Sequence, residues 1–236
     1  MIYLKRFNEN TDEYKLYYNN RHDYNKYREN LKKLKVSDSV DILNIVGEIT
    51  KKLNLKIIGY LGSGARGKAF VCEDNKVLKV TSDKEEVSFY LNLNNPKYIV
   101  NTYGIYKLNS PSINESYVIV MDKLDSLSKY ESDIIMDCYI TFYYIDSLCI
   151  EKPENWVLEE LDEWISKNRY TNKDIVKNIV LKYSRIITEL KSIGANEDEC
   201  HIDNIGVDKY GVYKCFDITN KVDINKLSDL PVLNIW

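Results

Sequence analysis

The chain has 236 residues, of which 44% are hydrophobic and 29% are charged, and its formal net charge is −3 at pH 7. This length suffices for one sizeable core or two small lobes, and the nearly balanced charge gives no support for a nucleic-acid partner. The five cysteines form no C-x-x-C pair, so neither a disulfide framework nor a zinc site is expected. The cysteines are expected to be reduced thiols in the cytoplasm. Because the N-terminus lacks an apolar core and no apolar run approaches the length of a membrane span, we expect an untargeted protein without a membrane partner.

Residues 1–53 are predicted to form a helical N-terminal extension. They begin with a polar, tyrosine-rich stretch and continue, after the cap candidates Ser37 and Ser39, with apolar residues at helical spacing. These apolar residues are Ile42, Leu43, Val46, Ile49 and Leu53.

Residues 54–124 are predicted to form a five-stranded antiparallel sheet that one helix interrupts. Glycines and polar turns separate five short β-rich segments, which read KIIGYL, KAFVCE, KVLKV, IVNTYGIYKL and SYVIVM. The helix is expected at 83–94 after the cap candidate Ser82, with Glu86 on the same face as Phe89 and Leu93.

Residues 125–236 are predicted to be mainly helical. Their apolar side chains fall into two stripes with helical spacing, and a further helix is expected at 151–165. The stripes contain Ile134, Ile135, Cys138, Phe142 and Ile145, and Ile175, Ile179, Tyr183, Ile186 and Leu190.

A glycine-rich motif, LGSGARGKAF, lies between the first two predicted strands. Gly62, Gly64 and Gly67 have G-x-G-x-x-G spacing, and a strand follows the third glycine where a dinucleotide-binding fold would have a helix. This context is typical of a hairpin that folds over phosphates, because glycines allow tight turns and bring backbone N–H groups close to anionic oxygens. The alternative is a plain structural turn, which is the commoner case for such a hairpin alone.

Lys79 lies within an apolar strand segment, flanked by Leu78 and Val80. Burying a lysine there is costly unless an anionic group meets it, so Lys79 either pairs with a carboxylate or faces water from an edge strand. The helical phase places Glu86 on the face that points towards the sheet, which predicts a Lys79–Glu86 ion pair. Glu85 remains the alternative partner, since an error of one residue in the helical phase exchanges the two glutamates.

The glycine motif, Lys79 and Glu86 together resemble the nucleotide-binding lobe of the protein kinase-like superfamily. The C-terminal half contains two matching segments, ECHIDNIGV and CFDIT, in which Asn204 and Asp217 flank a predicted hairpin with its turn at 208–211. The resemblance implies an α+β, two-lobed fold that binds ATP in the cleft between the lobes. Residues 54–124 would form the N-lobe, and 125–236 would form a reduced, mainly helical C-lobe.

The resemblance also implies individual roles. Asn204 and Asp217 would bind Mg²⁺, for which their oxygens are suited. Residues 122–125, after Met121, resemble the hinge that contacts an adenine through backbone groups. The residues implied to bind ATP are Gly62, Ser63, Gly64, Gly67, Lys79, Glu86, Met121 and Lys123.

Two departures from the family pattern concern catalysis. Glu199 occupies the position, five residues before Asn204, where the family has its catalytic aspartate. Asp198 is the alternative base, and His201, which matches the D-L-H-x-x-N loop of aminoglycoside and choline phosphotransferases, is predicted to brace the loop more than to act as an acid or base. The second departure is Asp217-Ile218-Thr219 in place of D-F-G, followed by too few residues for the family's usual peptide-docking region. The candidate catalytic residues are Glu199, Asp198, His201 and Lys79.

Three functions are compatible with this pattern. The leading hypothesis is a minimal Ser/Thr protein kinase that uses Mg-ATP. The alternatives are a small-molecule kinase and a nucleotide-binding pseudokinase that acts as an interaction module. The many Tyr, Asn, Lys and Ile residues are typical of an AT-rich coding sequence and favour a phage or other viral source, in which case the protein substrate would belong to the host and the chain would act in the host cytoplasm.

Overall fold

The computed structural model describes residues 40–63, 66–111, 115–144, 161–168, 170–195, 199–219 and 224–235. The described residues fall into two compact units. One takes its residues from Met1–Leu91, Thr102–Lys123 and Asp223–Trp236, and the other from Asn92–Asn101 and Leu124–Val222.

Both units combine α-helices with short β-strands. The helices are α1 Val40–Lys52, α2 Lys84–Asn92, α3 Lys129–Tyr144 and α4 Lys173–Ser192, and residues 161–167 are also helical. The strands are β1 Ile57–Ser63, β2 Gly67–Cys72, β3 Lys76–Thr81, β4 Thr102–Asn109, β5 Ser116–Asp122, β6 Asp125–Ser126, β7 Ile205–Val207, β8 Tyr213–Cys215 and β9 Val232–Asn234. No helix within the described ranges is long and apolar enough to cross a membrane.

The first unit contains a mixed sheet with the strand order β1-β2-β3-β5-β4-β9. All five predicted strands are present and pair antiparallel with one another. The predicted five-stranded antiparallel sheet is nevertheless wrong in two details, because β9 adds a sixth strand and pairs in parallel with β4. A strand of three residues is too short to show a two-residue period, so the sequence pattern did not reveal it.

Helix α1 and β9 contribute to one hydrophobic core on the first unit's sheet. Ile45, Val46 and Ile49 of α1 are buried against it, which confirms a helix in the second part of the predicted extension and two of its predicted apolar positions. Residues 1–39, with the cap candidates Ser37 and Ser39, lie outside the described residues. Ile235 joins the same core immediately after β9, and its backbone N–H donates to the carbonyl of Asn109 at 2.8 Å. The remaining buried core residues are Phe70, Cys72, Leu78, Leu108, Val118 and Val120.

Helix α2 begins one residue later than predicted and is capped by a different side chain. The Oδ1 atom of Asp83 accepts hydrogen bonds from the backbone N–H groups of Glu85 and Glu86, at 3.0 and 3.2 Å. Ser82, the predicted cap, instead donates its hydroxyl to the carbonyl of Arg66. Asp and Ser are both strong capping residues, so the choice between adjacent candidates depends on the backbone path.

The second unit packs α3 against α4 and contains a small sheet with the order β6-β7-β8. The predicted stripe on α4 is buried except at Ile175, which is 47% exposed in the first helical turn. The predicted hairpin is confirmed, since β7 and β8 pair antiparallel and the Asp208 side chain accepts from the backbone N–H groups of Tyr210 and Val212 in the turn. Of the predicted helix at 151–165, residues 161–165 are helical and the rest lie outside the described residues.

Replacing Ile235 with Ala should lower the free energy of unfolding by about 2–4 kcal/mol, because it removes buried methyl and methylene groups and leaves a cavity. Val232→Ala, at a position 51% exposed in β9, is the control and should change this free energy by less than about 0.5 kcal/mol. Urea denaturation of the whole chain, followed by circular dichroism, measures both. Equal losses would contradict the burial of Ile235.

Candidate functional site

The glycine-rich hairpin joins β1 to β2 in the first unit. Gly62 has φ 148°, a conformation that favours glycine, whereas Ser63 is exposed at the end of β1 and pairs with Lys68. Gly64 lies outside the described residues.

Gly67 allows a close approach of β2 to β3. A Cβ atom at this position would lie 2.9 Å from the carbonyl oxygen of Val80 and 3.3 Å from the Cε atom of Lys79. Any larger residue would therefore push against the backbone of β3 and against the lysine stem. The third position of the motif therefore requires glycine, and a side chain there would also press on Lys79.

Lys79 and Glu86 form the predicted ion pair. The Nζ atom of Lys79 lies 2.6 Å from Oε1 of Glu86, and the two side chains are 15% and 2% exposed. The other carboxylate oxygen of Glu86 accepts a hydrogen bond from the hydroxyl of Thr81 at 3.3 Å. Glu85 is exposed, and β3 lies between β2 and β5, so both the alternative partner and the edge-strand alternative are excluded.

Arg66 and Asp83 connect the hairpin to the start of α2. The Nη1 atom of Arg66 lies 2.7 Å from Oδ2 of Asp83, whose other oxygen caps the helix that carries Glu86. The carbonyl of Arg66 accepts a hydrogen bond from the Ser82 backbone N–H, and the Thr81 hydroxyl oxygen lies 3.2 Å from the same carbonyl. We call Arg66, Lys79, Thr81, Asp83 and Glu86 the lysine cluster. Neither Arg66 nor Asp83 was predicted, although Asp83 directly before a helix was a recognisable capping signal.

The predicted hinge residues lie at the end of β5. Met121 is buried and pairs with Val77 of β3 and Thr102 of β4. The backbone N–H of Lys123 donates to the carbonyl of Asn75 at 2.9 Å, and its carbonyl accepts from the Asn75 side chain at 3.5 Å. An adenine that used the backbone of Lys123 would have to replace these contacts.

Asn204 connects three segments of the second unit. Its side-chain Nδ2 donates to the carbonyls of Glu199, at 2.9 Å, and of Asp217, at 3.4 Å. Its backbone donates to the carbonyl of His201 and accepts from the N–H of Phe216. The residue is 7% exposed, and within the described part of the chain its Oδ1 atom accepts no hydrogen bond.

Asp217 is exposed and adopts φ 58°, a left-handed conformation that is uncommon for residues other than glycine but tolerated by aspartate. The carbonyl of Asp217 accepts a hydrogen bond from Nδ2 of Asn204. The side-chain amide whose Oδ1 atom accepts no hydrogen bond therefore also holds the backbone of Asp217.

These two residues are compatible with Mg²⁺. A buried amide oxygen without a donor and an exposed carboxylate are both hard oxygen ligands. The described residues contain no group of three or more His, Cys, Asp and Glu side chains that could hold a metal ion. Such a pair suits Mg²⁺ in the usual arrangement in which phosphate oxygens and water complete the shell.

Glu199 is bound at both ends. Its carbonyl accepts from Asn204, and its Oε1 atom accepts from the hydroxyl of Thr219 at 3.0 Å. We call Glu199, Asn204, Asp217 and Thr219 the asparagine cluster. Thr219 was not predicted as a site residue, and Asp198, the alternative base, lies outside the described residues.

His201 follows Cys200 in the loop. Its Nδ1 atom lies 3.9 Å from Oδ2 of Asp203, and both side chains are about 40% exposed. Among the described residues its ring makes no hydrogen bond that would brace the loop. The loop is supported by Tyr183 instead, whose buried hydroxyl lies 3.2 Å from the Cys200 carbonyl; burial raises the pKa of this tyrosine, so it stays a neutral donor.

The strand that precedes Asp217 is also anchored within the second unit. The backbone of Cys215 exchanges hydrogen bonds with Tyr98 and Val100, and Glu189 on α4 accepts from the backbone N–H groups of Lys97 and Tyr98. Burial raises the pKa of the Cys215 thiol well above its usual range, so it is an inert, protonated side chain.

No protein-family model and no curated protein matches the chain. Among solved structures, 112 chains match. One is the crystal structure of Rad53 1–466 in complex with AMP-PNP, with 19% sequence identity and a TM-score of 0.37. The match covers 69% of this chain but 38% of that chain, so this chain spans well under half of that structure's length. At this identity and score, the match assigns neither an activity nor a ligand to this chain.

Glu86→Gln should lower the free energy of unfolding by about 2–4 kcal/mol, because it removes the buried negative charge that lies 2.6 Å from the ammonium of Lys79. Glu85→Gln, one position away and exposed, is the matched control and should change it by less than about 0.5 kcal/mol. Chemical denaturation of both variants tests the pairing. A larger loss from Glu85→Gln would reverse the assignment.

Proposed function

We propose that the chain is an ATP-dependent phosphotransferase and, more specifically, a minimal Ser/Thr protein kinase. The observation that carries this proposal is the Lys79–Glu86 ion pair, at 2.6 Å, beside a glycine-rich hairpin. A lysine in a central strand, paired with a carboxylate on the following helix and next to a glycine of the hairpin, is a geometry suited to phosphate binding.

The lysine cluster is proposed to bind the phosphates of ATP. Glu86 fixes the ammonium of Lys79 on one face of the sheet, and Thr81 donates to the same carboxylate. Arg66 and Asp83 secure the hairpin to the start of the helix that carries Glu86. Because these groups are ordered by protein contacts, little reorganisation is needed when an anionic ligand binds.

The asparagine cluster is proposed to supply the metal ligands and the base. The Oδ1 atom of Asn204 and the carboxylate of Asp217 would hold Mg²⁺, which when bound neutralises charge on the phosphate oxygens. The carboxylate of Glu199 would accept the proton of the acceptor hydroxyl. The acceptor oxygen then bonds to the γ-phosphorus, while the bond from that phosphorus to its bridging oxygen breaks and leaves the electron pair on ADP.

The proposed acceptor is a Ser or Thr hydroxyl of a protein, in the host cytoplasm if the source is viral. Transfer to a small alcohol and nucleotide binding without transfer are the competing outcomes. An assay with γ-labelled ATP separates these outcomes, because it reports which acceptor becomes labelled and whether any acceptor does.

Incubation with γ-labelled ATP and Mg²⁺ should label the chain itself or a generic protein acceptor. Lys79→Met and Asp217→Ala should each reduce the rate by about 100-fold or more, because the first removes a cation from the phosphates and the second removes a proposed ligand of Mg²⁺. Lys52→Met, at an exposed lysine of α1, is the matched control and should leave the rate unchanged.

Binding is measured separately by the rise in melting temperature that Mg-ATP causes. A rise without label transfer would support the pseudokinase, and labelling of an amino sugar or choline but of no protein would support the small-molecule kinase. No binding by this measure or by titration would contradict the proposed function as a whole.

Glu199→Gln should reduce transfer by about 100-fold or more and retain the Mg-ATP-dependent rise in melting temperature, because an amide cannot accept the hydroxyl proton. Asp198→Asn is the neighbouring control and should remain active. An active Glu199→Gln variant together with an inactive Asp198→Asn variant would transfer the proposed role of base to Asp198.

A further inference from the structure

The two departures from the kinase-like pattern contact each other in the second unit. Glu199 stands where the family has aspartate, and Thr219 stands at the third position of the D-F-G motif, where the family has glycine. The Thr219 hydroxyl donates to Oε1 of Glu199 at 3.0 Å. A glycine at position 219 would have no side chain with which to make this contact.

The backbone on both sides of this contact is already fixed. Asn204 donates one hydrogen bond to the backbone carbonyl of Glu199 itself and another to the carbonyl of Asp217, two residues before Thr219. The freedom that remains is in the Glu199 side chain, which has one more rotatable bond than aspartate and loses conformational entropy when it is fixed. Thr219 is half-buried and β-branched, so its hydroxyl is held in few orientations and can restrict the glutamate.

We propose that Thr219 is a positioning residue that fixes the carboxylate of Glu199 and thereby offsets the extra methylene of glutamate. One carboxylate oxygen is bound by Thr219, and the other accepts from the acceptor hydroxyl. This inference rests on the proposed function, since it assigns Thr219 a role in orienting the base. Thr219 itself contacts neither the acceptor nor the phosphate in this assignment.

The consequence is an effect on turnover with little effect on nucleotide binding. Misplacing a catalytic group by about 1 Å can cost about 100-fold in rate. Thr219→Val keeps the shape of the side chain and removes the donor, so it should lower kcat by about 10- to 100-fold and leave the KM for ATP within about two-fold. Thr219→Ser keeps the hydroxyl and should retain most of the activity.

A double-mutant comparison tests whether Thr219 acts through Glu199. In a Glu199→Ala background, the residual rate should be the same with Thr or Val at position 219, because there is no carboxylate left to orient. Thr188→Val is the matched control: this threonine lies on α4 and its hydroxyl bonds to the carbonyl of Ser184 in the same helix. It should not change kcat.

Each outcome decides the proposal. A Thr219→Val variant with the wild-type kcat, a Thr219→Ser variant as slow as Thr219→Val, or equal losses from Thr219→Val with and without Glu199 would each overturn it. If Thr219→Val does not fold, Thr219→Ala is measured against Thr219→Ser with the same criteria. A folded wild-type chain that transfers no phosphoryl group to any acceptor overturns the proposed function, and this inference with it, whereas active wild type with an unaffected Thr219→Val overturns this inference alone.

Discussion

In the first unit, the packing of α2 against the sheet depends on the buried carboxylate of Glu86. Glu86 is 1% exposed, and a carboxylate in such a place is costly unless charged and polar groups surround it. Lys79 and Thr81, two residues of β3 on the same face of the sheet, meet this requirement, and they do so only if α2 lies against that face. The capping of α2 by Asp83 and the contact of Asp83 with Arg66 extend the same constraint to the glycine-rich hairpin. These contacts therefore link the hairpin, which the pairing of β1, β2 and β3 forms, to the residues that surround Glu86.

In the second unit, the side-chain amide of Asn204 is the buried polar group that holds separate segments together. Asn204 is also buried, and it satisfies its own donors by binding the carbonyls of Glu199 and Asp217. Neither carbonyl lies in an α-helix or a β-strand, so neither is paired within the regular hydrogen bonding of those elements. Two loops with candidate catalytic and metal-binding side chains are thus ordered by a single residue, and Tyr183 supports the first of them from α4.

The predictable features were those that leave a local pattern in the sequence. Five strands were visible from their β-rich segments, and the phase of one helix identified Glu86 as the partner of Lys79. β9 was not visible, because three residues show no period and its partner strand is remote in the chain. The contact between Thr219 and Glu199 also escaped prediction, since it joins two segments outside the α-helices and strands that are twenty residues apart and has no periodic signature.

The parallel pairing of β9 with β4 has a consequence during synthesis. Asn109 and Asn234, which bind each other through their side chains, are 125 positions apart, and the residues of the second unit from Leu124 to Val222 lie between them in the chain. A ribosome therefore delivers those residues before it delivers the strand that covers the edge of β4. Until then the first unit presents an unpaired strand edge, which is a template for association with other chains. The interval in which a nascent chain would benefit from a chaperone is accordingly set by the length of that intervening segment.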